Sequence, residues 1–263
     1  MAYIMENMTV KDMEEALKNT KTVIIPVGIV EQHGYHLPLS TDIYNATEVP
    51  KRVADRINAV IAPVVPYCYS GGELLGTVNV SPQVFSLLIM DICSEFARMG
   101  FKNIVIFLGH GGTDNKIALK SALQMLLRRN PHLKDITLSL VECWDLSPTW
   151  HDAMTKGAER DFHAGWVETS LMMYWKPELV RDAIVMDEPE VARMMRTDQD
   201  WFETSEKNVD HEFVIPRTFQ RKEIKIGVMG FPGKASRELG EKISKEMEDG
   251  LVEYINMLNE HEK

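Results

Sequence analysis

The chain has 263 residues, of which 44% are hydrophobic and 26% charged, a balance that excludes a disordered, collagen-like or fibrous protein. Its 39 acidic and 29 basic residues give a net charge of −10, which argues against a nucleic-acid partner or an anionic membrane. Cys68, Cys93 and Cys143 lie far apart, so we predict neither a disulfide framework nor a thiolate zinc site. The N-terminal residues lack the apolar stretch of a signal peptide, and we therefore expect a cytoplasmic protein.

Apolar runs alternate with amphipathic patterns over the first half of the chain. The predicted elements in chain order are a strand at 21–29, a helix at 42–58 with Pro50 inside it, a strand at 59–67, a helix at 82–99, a strand at 103–108, a helix at 114–129 and a strand at 136–143. Strands rich in Val and Ile that alternate with helices of this length are typical of right-handed βαβ units. The pattern therefore predicts an α/β fold with a mostly parallel sheet and helices on both faces.

The pattern loosens after residue 145. We predict a loop and short helix at 146–160, a helix at 166–175, an irregular Met-rich segment at 181–208, strands at 211–216 and 223–230, and a last helix at 235–258. The methionines here, which include Met154 and Met195, are interpreted as packing or subunit-contact residues. No linker or internal repeat is visible, so we expect residues 1–263 to form a single domain.

The stretch after the first predicted strand holds four possible metal ligands within twelve residues, namely Glu31, His33, His36 and Asp42. In an extended segment the side chains of Glu31 and His33 share a side, and Asp42 enters from the start of the next helix. Ligands of open α/β sheets bind outside the carboxyl ends of the strands, which is where this stretch lies. The sequence therefore predicts a site at this edge of the sheet.

A second strand end and a third cluster supply further candidates. The strand at 103–108 leads into the turn GHGG at 109–112, which contains His110 and whose glycines let the backbone approach a ligand. Mixed imidazole and carboxylate ligands suit zinc, manganese or iron(II), and two ions about 3.5–4 Å apart that share a bridging Asp activate water. Further along, His163 and Glu168 flank a glycine at a predicted helix start, where they could add a ligand and a proton shuttle.

Two simpler interpretations remain open. A single His or Glu in a loop is often only solvated or hydrogen-bonded, and that is how we interpret His132, His151, His211 and His261. The GHGG turn alone could cradle a phosphate, because glycine-rich strand-to-helix turns bind anions at helix N-termini. That alternative describes a non-catalytic phosphate- or sugar-binding module, although the carboxylates of the first stretch would repel a phosphate unless a cation intervened.

Three motifs in order resemble those of the creatininase (creatinine amidohydrolase) family. PVGIVEQHGYHLPLSTD at 26–42 resembles its first motif, with Tyr35 where proline is usual. FLGHGGTDN at 107–115 resembles its GHGGN motif, with Thr113 and Asp114 displacing the Asn, and HAGWVETSLM at 163–172 resembles its HAGxxETS motif. GFPGKASRELGEK is also similar to the family's C-terminal segment, so the similarity runs over residues 9–254.

The resemblance implies a three-layer α/β/α sandwich and a hydrolase with two divalent metal ions. Zinc is the expected metal, with manganese or iron as alternatives, and the expected assembly is a homohexamer. Carried over residue by residue, Glu31 and His33 each bind one metal, Asp42 bridges both and His110 completes the first. Glu168 is the expected ligand of the second metal, because a glycine here replaces the glutamate of creatininase.

The resemblance also implies residues for catalysis and for substrate binding. His163 matches the family's catalytic His, a proton shuttle beside the metals, and Glu168 is expected to act with it. The predicted substrate-binding residues are Trp144, which matches a substrate-wall Trp of creatininase, and Tyr35, His36, Gly111 and Gly112.

The substrate pocket of creatininase is not reproduced, since that enzyme has a Tyr where Gly111 stands and a Trp-Asp pair where Glu159 and Arg160 stand. Other members of the family deformylate a nucleotide intermediate, trim a peptide in cofactor maturation, or hydrolyse a carbon–carbon bond of a diketo-inositol ring. We therefore predict a hydrolase in which metal-activated water opens or cleaves a small cyclic amide or related carbonyl substrate. The alternative is a carbon–carbon bond hydrolase of a cyclic polyol diketone of the 3-dehydro-scyllo-inosose type.

Overall fold

A five-stranded parallel sheet lies at the centre of the computed structural model, which describes residues 2–158 and 160–261. Its strands are β1 (Tyr3–Ile4), β2 (Thr22–Val27), β3 (Val60–Ile61), β4 (Asn103–Leu108) and β5 (Thr137–Glu142), and β6 (Glu203–Glu206) and β7 (Arg217–Gln220) form a separate antiparallel hairpin. The helices are α1 (Val10–Asn19), α2 (Thr41–Arg52), α3 (Pro82–Met99), α4 (Thr113–Arg129), α5 (Pro148–Thr155), α6 (Trp166–Trp175), α7 (Pro189–Thr197) and α8 (Arg237–Glu260). Within the described residues, no helix has the length and apolar character needed to cross a bilayer.

The two central strands, β2 and β4, form the middle of the carboxyl-terminal edge of the sheet. β2 (TVIIPV) and β4 (NIVIFL) are buried at every position, as expected for parallel strands covered on both faces. They pair along their whole length within the order β1-β3-β2-β4-β5. The connection from β2 runs to β3 on one side of this pair, and the connection from β4 runs to β5 on the other side. The two connections therefore diverge between the ends of β2 and β4. Open sheets bind ligands at such a divergence.

Alternate side chains of these strands enter two separate hydrophobic cores. Val23 and Ile25 of β2 pack with residues of α1, α3 and α4 on one face. Ile24 of β2 and Phe107 of β4 pack with residues of α2, α6 and α8 on the other face. The predicted three-layer α/β/α sandwich around a parallel sheet is therefore confirmed.

Prolines shorten two of the predicted elements. α2 ends at Arg52 rather than at residue 58, because Pro50 in its last turn has no N–H and its ring crowds the preceding turn. The strand expected at 59–67 is reduced to β3, since Pro63 and Pro66 cannot donate to a neighbouring strand. Val65 adds only an isolated bridge to β2.

Two helices form where the sequence pattern does not predict them. α1 follows a capping box, in which the side chains of Thr9 and Asp12 each accept a hydrogen bond from the other residue's backbone N–H. α7 lies in the segment expected to be irregular, has a proline in its first turn and buries Ala192 and Met195. The helices at 82–99 and 166–175 and the strand at 103–108 have the predicted bounds.

The strands predicted at 211–216 and 223–230 do not form, so that prediction is wrong. Residues 211–216 lie in the loop of the β6–β7 hairpin, where Phe213 and Ile215 are 82% and 88% exposed. The segment 223–230 is held instead by the buried carboxylate of Asp187, which accepts hydrogen bonds from the backbone N–H groups of residues 225, 226 and 227. A side chain thus satisfies backbone donors that a neighbouring strand would otherwise bond.

Candidate metal centre and active site

The predicted ligands gather at the carboxyl ends of β2 and β4. Two glycines make this possible, because a Cβ atom at Gly109 would clash with the carbonyl oxygen of Asp42, and one at Gly28 would lie 2.7 Å from the same atom. Glycine at these positions lets the first turn of α2 pack closely against both strand ends. Asp42 is thereby brought beside Glu31 and His110.

Glu31, Asp42 and His110 form a first ligand cluster. Nδ1 of His110 lies 3.0 Å from Oε2 of Glu31 and 3.1 Å from Oδ2 of Asp42. The hydroxyl of Ser70 donates a hydrogen bond to Oε1 of Glu31 and fixes that carboxylate. One donor atom from each of the three residues lies within 4.8 Å of the other two, which is close enough for all three to bind one ion.

A second cluster consists of His33, His163 and Glu168, and here too one donor atom from each residue lies within 4.8 Å of the other two. Nε2 of His33 lies 3.6 Å from Oε2 of Glu168, and the His33 and His163 rings are 4.1 Å apart between centroids. Nδ1 of His33 donates to the carbonyl oxygen of Glu31 at 3.1 Å. With the Nδ1 proton held in this bond, His33 directs Nε2 at the cluster, where a metal ion would replace the Nε2 proton.

Asp42 connects the two clusters. Its Oδ2 faces His110 at 3.1 Å and its Oδ1 faces His33 at 3.4 Å. A carboxylate placed between two imidazoles in this way can bridge two ions. Oε2 of Glu31 and Nε2 of His33 are buried without a suitably oriented hydrogen-bond partner, which is unfavourable unless a cation contacts them. The donor set therefore fits divalent metal ions.

The buried carboxylates and imidazoles strongly affect one another's ionisation. Burial alone would lower the pKa of His33, but the adjacent carboxylates of Asp42 and Glu168 outweigh it and raise this pKa well above 6.5. Burial likewise opposes ionisation of Asp42, yet His33 and His110 hold the pKa of its carboxyl below the usual value. The site therefore concentrates negative charge and attracts cations.

Neighbouring groups orient the second cluster. Asn45, one turn after Asp42 on α2, donates to Oε1 of Glu168 at 3.0 Å. The backbone N–H of Ala164 donates to the other oxygen of Glu168 at 2.7 Å. Nε2 of His163 donates to the carbonyl oxygen of Gln32, also at 2.7 Å. These contacts leave the side chains of the cluster little freedom to turn away from an ion.

A buried carboxylate, that of Asp161, holds the turn that carries His163. It accepts hydrogen bonds from the backbone N–H groups of residues 166, 167 and 231 at 3.0–3.1 Å. Burial raises the pKa of Asp161 to about 6, although these donors oppose the shift. Ala164 in the same turn has a φ of 54°, a conformation that favours glycine. Asp161 therefore stabilises a strained turn next to the metal ligands.

Four of these supporting residues are not among those predicted from the sequence: Gln32, Asn45, Ser70 and Asp161. The sequence does offer a signal for Asn45, because its spacing of three from Asp42 places both on the same face of a helix. Gln32, Ser70 and Asp161 follow no pattern that separates them from ordinary loop residues, which are usually solvated.

A cavity of about 180 Å³ opens onto both clusters. Three of the predicted substrate-binding residues, Trp144, Gly111 and Gly112, line it. The other two are not among its lining residues: Tyr35 is 63% exposed to solvent, and His36 is buried with its Nε2 3.1 Å from Oγ1 of Thr169.

Apolar side chains form most of the cavity wall away from the ligands. They are Leu74, Trp144, Trp150, Met154, Phe162, Met195, Phe202, Ile224 and Met229. Met154 and Met195, interpreted from sequence as packing or subunit-contact residues, therefore also face this space. Glu159 lies outside the described residues, while the guanidinium of Arg160 stacks over the ring of Phe162.

A family model described as Creatinine amidohydrolase matches residues 6–255 of the chain. The creatinine amidohydrolase of Pseudomonas putida is 30% identical over 183 residues, which cover 64% of this chain and 69% of that protein. A mycofactocin precursor peptide peptidase of Mycolicibacterium smegmatis is 27% identical over 246 residues, which cover 89% of this chain and 83% of that protein. A 3-dehydro-scyllo-inosose hydrolase of Thermotoga maritima is 31% identical over 109 residues, which cover 40% of this chain and 35% of that protein.

Solved structures share the fold. A creatininase mutant complexed with creatine superposes with a TM-score of 0.76 at 25% identity, covering 98% of both chains. A structure named Creatininase Mn superposes with a TM-score of 0.75 at 26% identity, covering 98% of this chain and 99% of that one. A creatininase mutant of the Zn-Zn type superposes with a TM-score of 0.74 at 27% identity, covering 97% of this chain and 98% of that one.

Proposed function

The chain belongs to the creatininase family of metal-dependent hydrolases, and from that premise we propose that it opens or cleaves a small cyclic amide or a related carbonyl compound. The observation that carries this proposal is the pair of ligand clusters, connected by Asp42, that lie beneath an apolar cavity. We further propose that residues 1–263 act as one catalytic domain.

Two divalent ions fit the two clusters. Glu31, Asp42 and His110 would hold one ion, and His33, Asp42 and Glu168 would hold the other. Imidazole and carboxylate donors suit zinc, our proposed metal, and also manganese or iron. Such a pair of ions supplies an activated water and polarises a carbonyl oxygen.

His163 is the proposed proton carrier. Its ring lines the cavity beside His33, and its Nε2 donates to the carbonyl oxygen of Gln32. Because Nε2 keeps its proton in that bond, Nδ1 is the atom available to accept a proton. Burial and the neighbouring His33 lower the pKa of His163, so the neutral ring can take a proton and return it to the leaving nitrogen or carbon.

Replacing His33 or Asp42 by Ala tests the proposal. Both variants should lose bound metal and hydrolysis together, whereas Glu190→Gln, which changes an exposed carboxylate of α7, should keep both. Elemental analysis measures the metal, and a screen of cyclic amides, formamides and cyclic diketones measures ring opening or cleavage. A His33→Ala variant that retained its full metal content would contradict the assignment.

Hydrolysis of a carbon–carbon bond in a cyclic polyol diketone is the second candidate. It is favoured by the similarity to the 3-dehydro-scyllo-inosose hydrolase of Thermotoga maritima. The same screen separates the two candidates, since amide cleavage releases a new amine and carbon–carbon cleavage does not. A non-catalytic phosphate-binding module has less support, because Glu31 and Asp42 face the GHGG turn and Asp114 lies in the first turn of α4.

We also propose that the protein is a cytoplasmic homo-oligomer, with a hexamer expected from the family resemblance. Val84, Leu87 and Leu88 of α3 support self-association, because these apolar side chains are exposed next to one another on one helix. Sedimentation equilibrium measures the assembly. A protein that stayed monomeric at micromolar concentration would refute this part of the proposal.

A further inference from the structure

The GHGG turn contains one glycine that its backbone surroundings do not require. A Cβ atom at Gly109 would clash with the backbone of α2, and one at Gly112 would lie 2.5 Å from the carbonyl oxygen of Tyr69. At Gly111 the nearest atom is a side-chain atom, Cη2 of Trp144, at 3.1 Å. Gly111 also has no positive φ angle. The backbone at position 111 would therefore accept a side chain with only a small shift of the indole.

A side chain at position 111 larger than a methyl group would push the indole of Trp144 into the cavity. Gly111 and Trp144 both line the cavity, and Trp150, which also lines it, lies 6.0 Å from Trp144 between ring centroids. Phe162 and Phe202 also line the cavity. A wall built from aromatic and aliphatic side chains binds flat apolar groups well, because it buries their surface and allows ring contacts.

On the basis of the hydrolase function proposed above, we propose that Gly111 is a specificity-determining residue. Because it carries no side chain, the indole of Trp144 can lie against the GHGG turn, and the rest of the cavity stays free for a planar apolar ring attached to the carbonyl group that is hydrolysed. The size of the cavity agrees with one such ring. It measures about 180 Å³, and an apolar cavity of roughly 150 Å³ in another protein is large enough to bind benzene.

The charges along the cavity favour an uncharged ring. Apart from the proposed metal ligands and His163, the charged side chains among the lining residues are those of Lys116 and Asp200. Nζ of Lys116 lies 2.8 Å from a carboxylate oxygen of Glu142, and Oδ1 of Asp200 accepts a hydrogen bond from Thr113. An anionic substituent would therefore find no free cation among these lining residues.

Hydroxamates provide the test, because they chelate divalent metal ions and need not be substrates. Benzohydroxamate carries a planar ring, cyclohexanecarbohydroxamate carries a puckered ring of similar size, and acetohydroxamate carries no ring. Calorimetry measures the dissociation constant of each compound on the zinc-loaded full chain, as wild type, Gly111→Ala and Gly111→Leu. Gly233→Ala is the matched control, since a Cβ atom there meets nothing within 4 Å.

We expect benzohydroxamate to bind the wild type about tenfold more tightly than acetohydroxamate, with the cyclohexyl compound between them. Gly111→Leu should reduce this ratio to about twofold or less, while Gly233→Ala should keep it. Gly111→Ala adds only one methyl group and should give an intermediate ratio, so the measurement does not depend on the Leu variant folding. Trp144→Ala should also lower the ratio, because it removes part of the wall.

Loss of the ring preference in the variants at position 111, but not at 233, supports the proposal. Equal binding of the three compounds to the wild type, or an unchanged ratio in both variants at position 111, overturns it and leaves the hydrolase proposal standing. If no hydroxamate binds to protein that contains two metal ions per chain, this proposal is also overturned, while the hydrolase proposal is tested separately by the metal content and activity of the His33→Ala and Asp42→Ala variants.

Discussion

Replacing Asp42 by Asn should empty both proposed metal sites, whereas replacing Glu31 or Glu168 by Gln should empty one each. The reason is geometric, because Asp42 presents Oδ2 to His110 and Oδ1 to His33 at 3.1 and 3.4 Å. Of these two imidazoles, Glu31 contacts that of His110 and Glu168 contacts that of His33. Asn and Gln preserve side-chain size but remove the charge that holds a divalent ion.

The expected change in thermal stability follows from the number of ions lost. An ion present at about 100 times its dissociation constant stabilises the folded state by about 2.7 kcal/mol. In a chain of about this size, each kcal/mol shifts Tm by roughly 2–4 °C. Loss of both ions should therefore lower Tm by about 10–20 °C, and loss of one ion by about half as much.

Elemental analysis and scanning calorimetry measure the two quantities on the same preparation. Wild type should contain two ions per chain, Asp42→Asn none and each Gln variant one. Glu190→Gln serves as the control, because it changes an exposed carboxylate that pairs only with Arg193 among the salt bridges of the described residues. The reasoning from a shared ligand is refuted if Asp42→Asn keeps one ion per chain or if Glu31→Gln loses both.

Three further predictions concern stability and reactivity. Burial raises the pKa of Asp161 from 3.8 to about 6, so the folded state binds more protons than the unfolded state between these values and stability falls as pH rises. Between about pH 4 and 7, the free energy of unfolding in urea should fall by on the order of 3 kcal/mol more for the wild type than for Asp161→Asn. Parallel pH profiles of the two proteins would contradict this. Phe107→Ala should lower the free energy of unfolding in urea by about 3–5 kcal/mol, because Phe107 is fully buried. A loss below about 1 kcal/mol would contradict this and show that the core closes around the gap. Burial also raises the pKa values of all three thiols, so a dithiobis-nitrobenzoate assay at about pH 8 should label none of them until the protein is denatured. Labelling of the folded protein would show that a thiol is accessible.

The central sheet can be predicted from the sequence because β2 and β4 are buried on both faces and form continuous apolar runs. The segment 223–230 is also rich in apolar residues, yet it forms no strand. Its backbone N–H groups are bonded by Asp187, which lies nearly forty residues earlier in the chain. A local pattern carries no information about so distant a partner.

The proposed metal ligands can be chosen from the sequence because each follows a strand end or lies near a helix start, and the structure brings them to one edge of the sheet. The groups that orient them, such as Asn45 and Asp161, depend on contacts between distant segments. Tyr35 lies in the same motif as the ligands, but it follows a turn in which Gly34 has a φ of 64°, and its side chain is exposed. Met195 gives no sequence signal either, because methionine fills cores and cavity walls alike.

The metal clusters and much of the cavity wall come from different parts of the chain. The proposed ligands lie between Glu31 and Glu168, whereas Met195, Phe202 and Met229 come from α7 and from the residues around the hairpin. Substitutions in the later segment can therefore reshape the cavity while the sheet and the ligands stay intact. The proposed metal ligands and a large part of the substrate wall are thus encoded in different parts of one gene, so that either can change in evolution without the other.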